Sequence, residues 1–212
     1  ERASEISENH ILTRLSAKEY VFPRTETLFS YQKKAGEVIL ENFNFEAIPQ
    51  RLIWGMRPCD AAGIEALSGI FNWEPKDAIY HARRARTTFV SIACTQSDAA
   101  CFCTSLGSGP QDSKGSDMLM IPLENGDFLA EIRTEKGDAI VSLAPDLFED
   151  VDAEAIRKQA VAAAEPRKYF DYEKVYDKIN AKFDTSLFEE QALACLGCGA
   201  CAFICPSCGC FD

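Results

Sequence analysis

RLIWGM, residues 51–56, followed by Arg57-Pro58-Cys59-Asp60, is the stretch on which the fold turns. An apolar run with an aromatic and a β-branched side chain reads as a buried strand, stopped by Pro58. Asp60 then stands where a helix N-cap belongs, ahead of Ala61, Ile64, Leu67, Ile70 and Phe71 at helical spacing. A second helix is expected from Asp77 to Arg86. After it comes Thr87-Thr88-Phe89-Val90-Ser91-Ile92-Ala93, β-branched and apolar, a strand by composition. Strand, helical crossover, strand is a βαβ unit, so the two strands are expected to be parallel, adjacent and joined with right-handed sense.

Outward from this unit the pattern is less regular. Residues 1–30 mix polar and apolar positions and break at Phe22-Pro23, and Glu37 to Phe45 fits a strand or a short helix. Thr104 to Asp117 is rich in Gly, Ser and Asp and reads as a loop. Three short strands are expected at Met118–Leu123, Phe128–Arg133 and Ala139–Leu143, with Asn125-Gly126 and Lys136-Gly137-Asp138 as hairpin turns between them. Asp150 to Ala194 reads as mostly helical: Val151–Ala164 is Ala-rich, Pro166 interrupts, and Tyr172–Phe183 and Ser186–Ala194 continue. The expected fold class is therefore α/β in the mixed α+β sense. A parallel βαβ core carries added hairpin strands and a helical C-terminal region that ends in a ferredoxin-type loop. The expected division is 1–150 as the α/β domain, 151–194 as a helical connector and 195–212 as a cysteine-bearing segment.

A chain of 212 residues that is 47% hydrophobic can bury a proper core. Its formal net charge of −11 argues against nucleic acid or an anionic membrane as partner. No window reaches the length of a transmembrane helix, and Glu1 to Tyr20 has no apolar segment of the secretory kind, so a cytoplasmic location is expected. The first residue is not Met and Cys210 lies two residues from the end, which suggests a piece of a longer chain.

The 10 cysteines are grouped. Cys59 stands alone, Cys94, Cys101 and Cys103 form a set, and six more fall between Cys195 and Cys210. In a reducing compartment this favours metal or redox chemistry over disulfides. Cys195, Cys198, Cys201 and Cys205, with Pro206 behind them, follow the C-x2-C-x2-C-x3-C-P run of bacterial ferredoxins, which implies a [4Fe–4S] cluster. Ligands every third residue suit a cubane, whose iron corners lie a few ångströms apart. Gly197, Gly199 and Ala200 clear side chains where backbone amides approach the sulfides, and Phe203 and Ile204 limit water. Zinc sites usually pair two CxxC knuckles across a longer loop, and no second half is present. In two-cluster ferredoxins the fourth cysteine of the run serves the other cluster. The site is therefore completed by Cys205, Cys208 or Cys210, or by a residue outside the chain, and the roles of Cys208 and Cys210 stay open.

Cys59 follows the first strand of the βαβ unit and Cys94 the second, so the two should approach one another at the sheet edge where ligands of open α/β sheets sit. Cys101 and Cys103 lie on the loop that leaves the second strand and can fold over the same edge. Four converging thiolates suggest a second [4Fe–4S] cluster, with the positive end of the helix near Asp60 turned toward it. Structural zinc, or Cys59 as an ordinary core residue, are the alternatives.

Arg83, Arg84 and Arg86, with Arg57 beside Cys59, form a basic knot that either meets an anionic group or pairs with acids on a solvated helix face. His10 and His81 have no metal-ligand neighbours at useful spacing. Ser105-Leu106-Gly107-Ser108-Gly109 lacks the downstream helix and base of a phosphate or nucleophile loop and reads as a plain loop.

At RPCD (57–60), Tyr80 to Arg84, CFCTS (101–105) and Cys195 to Asp212, the chain resembles the 4Fe–4S dicluster family. That family includes the β (iron–sulfur) subunits of cytoplasmic sulfhydrogenases and the corresponding iron–sulfur subunits of anaerobic sulfite reductases. The resemblance runs from about Phe22 onward, and family members are longer at both ends, with a second ferredoxin run after the first. It implies a non-catalytic electron-transfer component of an oxidoreductase complex. Such a component passes electrons between a flavoprotein that binds FAD and NAD(P) and a catalytic redox subunit of hydrogenase or sulfur/sulfite-reductase type. The alternative is a metal-stabilised scaffold or a redox-sensing iron–sulfur protein.

Overall fold

In the computed structural model, which describes residue 13 and residues 15–209, a 3-10 turn at Ala17–Tyr20 precedes an antiparallel hairpin of β1 (Phe29–Lys34) and β2 (Glu37–Asn42). The undecided stretch after Glu37 is thus a strand. β3 (Arg51–Met56) leads into α1 (Pro58–Phe71) and α2 (Ala78–Ala85), and the chain returns as β4 (Thr87–Ile92). β5 (Met118–Pro122) and β6 (Phe128–Ile132) complete a four-stranded sheet of order β3-β4-β5-β6. The β3–β4 and β4–β5 pairs are parallel and β5–β6 is antiparallel, so the expected βαβ unit and the Asn125-Gly126 hairpin are both present. α3 (Glu135–Leu143), α4 (Ala153–Arg157), α5 (Val175–Asn180), α6 (Leu187–Ala192) and α7 (Ala200–Ile204) follow.

Successive side chains of a strand point to opposite faces, and β4 uses both. Phe89 joins Val21, Met56, Ala61, Ile64, Leu67 and Tyr80 beneath α1 and α2. Val90 joins Met118 and Met120 on the other face, against Ile140, Val141 and Phe148. Burying Ile64, Leu67 or Phe89, each with no exposed surface, stabilises the fold by about 1.5–3 kcal/mol per side chain. Between β4, β5 and α3 sits the buried carboxylate of Asp117. It accepts from Phe89 N (2.8 Å) and Thr134 Oγ1 (2.7 Å), and it pairs with Lys136 Nζ (3.1 Å) and Arg84 (3.7 Å).

Four expectations are corrected. Pro58 opens α1 instead of merely stopping the strand: the N-cap is Arg57, and Asp60 lies inside the first turn. Proline suits the first helical position because the N–H it lacks has no partner there. β3 is an edge strand, not a buried one, with Leu52 and Trp54 exposed on one face. Ala139–Leu143 is not a strand but the second half of α3, and Lys136-Gly137-Asp138 belongs to the same helix instead of forming a turn. Packing decided this, because Ile140 and Val141 meet the sheet's second core at helical spacing. The stretch after Asp150 is less helical than its alanine content implied. Beyond α4 it runs extended along the end of β5, with Val161 N donating to Pro122 O (2.9 Å) and Ala160 bridging Leu123.

Candidate functional site

The parallel strands end on one edge, and three loops meet there. Cys59 is the second residue of α1, one position after Pro58, and Cys94 lies two residues past β4. The loop beyond β4 folds back through Cys94 N to Pro110 O (2.9 Å) and Ser108 N to Cys103 O (3.2 Å), with Cys103 opening a 3-10 turn at Cys103–Leu106.

The four thiols of this edge act on one another electrostatically. Cys59 is exposed as a residue, yet its thiol is pushed up to about 12. Desolvation by the surrounding protein is the largest cause, followed by the Asp60 carboxylate and then Cys94, Cys103 and Cys101. Burial also raises Cys94, Cys101 and Cys103, and each is raised further by a neighbouring thiol or carboxylate. Sequence placed these four residues at one edge, and the fold brings them within interacting range.

Arg57 is the cation among them. It is only 8% exposed, and its Nε has no hydrogen-bond partner. Its guanidinium lowers the Cys94 thiol by charge and by a hydrogen bond, and it lowers Cys101 by charge. A buried cation with an unpaired N–H is costly unless negative charge lies beside it. The donor set therefore fits a group bound as thiolates, which would turn four mutually destabilised thiols into the anion that Arg57 lacks.

The other arginines take the less specific of their two roles. Arg83 pairs with Glu26, Arg84 with Asp117 and Arg86 with Glu46. His81 contacts Phe71 O through a ring nitrogen (3.1 Å), and His10 lies outside the described residues.

Sequence reasoning missed the strap across the cysteine loop. Thr104 Oγ1 donates to Pro166 O (2.9 Å), Tyr169 N to the buried Ser105 Oγ (2.8 Å), Tyr169 Oη to Ala99 O (3.1 Å) and Ala164 N to Cys94 O (3.3 Å). Residues 164–169, expected to be helical up to the proline break, instead pin the loop that bears Cys101 and Cys103. Pro166 was the available signal, since it excludes a continuous helix there.

The C-terminal run lies on α1 as well. Cys195 and Cys198 are on the loop before α7, Cys201 is within α7 and Cys205 caps it. Gly197 and Gly199 take φ of 66° and 69°, a left-handed conformation that side chains with a Cβ rarely adopt. Gly197 N donates to Cys195 Sγ at 3.4 Å, the inward amide-to-sulfur geometry a ligand loop requires. Cys195, Cys198 and Cys201 are exposed, Cys205 and Cys208 partly buried, and Cys210 lies outside the described residues.

The chain is similar to sulfhydrogenase 2 subunit beta of Pyrococcus furiosus. The two are 28% identical over 212 residues, covering 98% of this chain and 61% of the relative, so the chain spans less than two thirds of the relative's length. No protein-family profile and no solved structure matches it. The likeness to a sulfhydrogenase β subunit covers both cysteine sets, and it agrees with the resemblance carried by RPCD and CFCTS. Among the described residues, no three His, Cys, Asp or Glu side chains come close enough together to hold one metal ion, and no helix is long and apolar enough to cross a membrane.

Proposed function

We propose that this chain is an iron–sulfur electron-relay subunit of a sulfhydrogenase-type oxidoreductase complex. One [4Fe–4S] cluster would be held by Cys59, Cys94, Cys101 and Cys103, and another by Cys195, Cys198, Cys201 and Cys205. The observation that carries the reading is the set of four interacting thiols around the buried, unsatisfied Arg57 at the ends of two parallel strands. Their spread does not suit zinc, whose thiolates crowd around one tetrahedral centre, whereas thiolates on separate irons stand farther apart. Bound clusters would supply one-electron exchange. The chain's own residues hold the thiolates, place Arg57 against them and carry both sets on α1.

No Gly-rich dinucleotide fingerprint accompanies the cysteines, so hydride chemistry falls to a flavoprotein partner that binds FAD and NAD(P), and substrate chemistry to a catalytic redox subunit. A cytoplasmic complex fits the composition and the name of the relative.

Anaerobic purification with iron, sulfide and zinc quantified, followed by electron paramagnetic resonance of the reduced protein, tests the assignment. Cys59→Ser and Cys198→Ser should each remove a different set of signals. Zinc in place of iron, or variants that keep all signals and all iron, would overturn it. Signals that collapse under oxidant without reversible reduction would favour the sensor alternative.

A further inference from the structure

Lys18 is 6% exposed, unusual for a lysine, and lies on the 3-10 turn Ala17–Tyr20, whose N-cap Ser16 accepts from Lys18 N at 3.2 Å. Its ammonium donates to Ala202 O at 2.7 Å and to Cys208 O at 3.1 Å, 184 and 190 residues away. Among the described residues no carboxylate pairs with it. The two carbonyls flank Cys205, one from α7 and one from the chain beyond Pro206, so a single side chain closes the loop that carries that cysteine. Arg24 stands over the Phe203 ring at 3.9 Å, and with Lys18, Phe22 and Cys198 it lines a cavity of about 400 Å³ between residues 16–24 and the C-terminal run.

A buried ammonium satisfied only by neutral carbonyls is unfavourable unless net negative charge lies near it. The thiolates of Cys195, Cys198, Cys201 and Cys205 would be that charge. We infer that Lys18 is a positioning residue for the C-terminal cysteine run: it clamps the run onto the α/β body through Ala202 and Cys208 and sets a positive charge beside the group the run holds. This rests on the cluster assignment made above. A purely structural lysine would affect docking alone. A charge partner also raises the reduction potential of the neighbouring cluster, because reduction adds negative charge.

The test uses Lys18→Met, which keeps the apolar stem and removes the charge, and Lys18→Arg, which keeps the charge. Midpoint potentials are read by titration of the electron paramagnetic resonance signals, and the wild-type signal sets are assigned with Cys198→Ser and Cys59→Ser. In Lys18→Met the set abolished by Cys198→Ser should move to lower potential, or lose its iron, while the set abolished by Cys59→Ser stays. Lys18→Arg should remain near wild type. Equal potentials and iron content in wild type and Lys18→Met overturn the inference, as does an equal shift of both sets. A wild type lacking any Cys198-dependent signal overturns the cluster assignment and the charge role with it. Hydrogen exchange of residues 200–209 in the metal-free chain then decides the clamp: faster exchange in Lys18→Met upholds it, and unchanged exchange overturns it.

Discussion

Pro206 rests on Gly63 so closely that a Cβ on that glycine would stand 2.6 Å from Pro206 Cγ. Gly63 lies four residues after Cys59, a little more than one turn of α1, or about 6 Å along its axis. The residue after Cys205 therefore packs about one turn from Cys59, and Gly209 continues the contact against Leu67 and Ile70. One helix fixes the separation of the two cysteine sets, which an electron relay needs to be short and constant.

Gly63→Val should wedge this contact open. Overpacking of this kind costs about 1–3 kcal/mol, partly offset by the better helix propensity of a residue with a side chain. The expected result is faster hydrogen exchange across residues 200–209, with the central strands β4 and β5 unchanged. Unaltered protection at the C-terminal run would mean that Pro206 does not hold it there.

Arg57→Met removes the buried cation beside Cys94 while keeping an apolar stem. The signals that depend on Cys59 should shift to lower midpoint potential or lose iron, and those that depend on Cys198 should not. Arg57→Lys should fall between the two. An unchanged Cys59-dependent set would sever Arg57 from that site.

Asp117→Ala strips a carboxylate that is 1% exposed from Arg84 and Lys136 and leaves Phe89 N without its acceptor. Removing one partner from a buried ionic network costs about 3–5 kcal/mol, so the midpoint of denaturant unfolding should fall sharply. A loss below about 1 kcal/mol, the range of surface pairs, would show the network to be effectively solvated.

Tyr80 carries a pH dependence. Burial raises its phenol above the ordinary 10.0, opposed in part by the Ser68 hydroxyl at 2.7 Å, and its ring stacks on Phe71 at 4.1 Å. The folded state holds the phenol proton more tightly than the unfolded chain. The stabilisation is therefore complete below about pH 10 and is lost as the pH rises through the higher folded value. Thermal unfolding of Tyr80→Phe should show a shallower decline above pH 10 than wild type, at a neutral-pH cost of about 1 kcal/mol for the lost hydrogen bond. Parallel declines would assign the alkaline sensitivity to other groups.

Whatever depends on neighbours along the chain could be read from composition and spacing. The order of β3, α1, α2 and β4 followed from periodicity, the β5–β6 hairpin from Asn125-Gly126, and the grouping of the cysteines from their intervals. The edge shared by Cys59 and Cys94 was legible too, because parallel strands joined by a crossover must end together. Packing settled the places where local signals were ambiguous or the partners lay far apart. Ala139–Leu143 suits a strand or a helix by composition, and only the core against Ile140 and Val141 selects the helix. Residues 158–165 have the alanines of a helix, but hydrogen bonds to Pro122 and Glu124 and to the cysteine loop hold them extended. The burial of Arg57 and the clamp from Lys18 to a segment more than 180 residues away leave no local trace. A charged side chain is placed by the folded surroundings that desolvate it, and spacing along the chain carries no record of that cost.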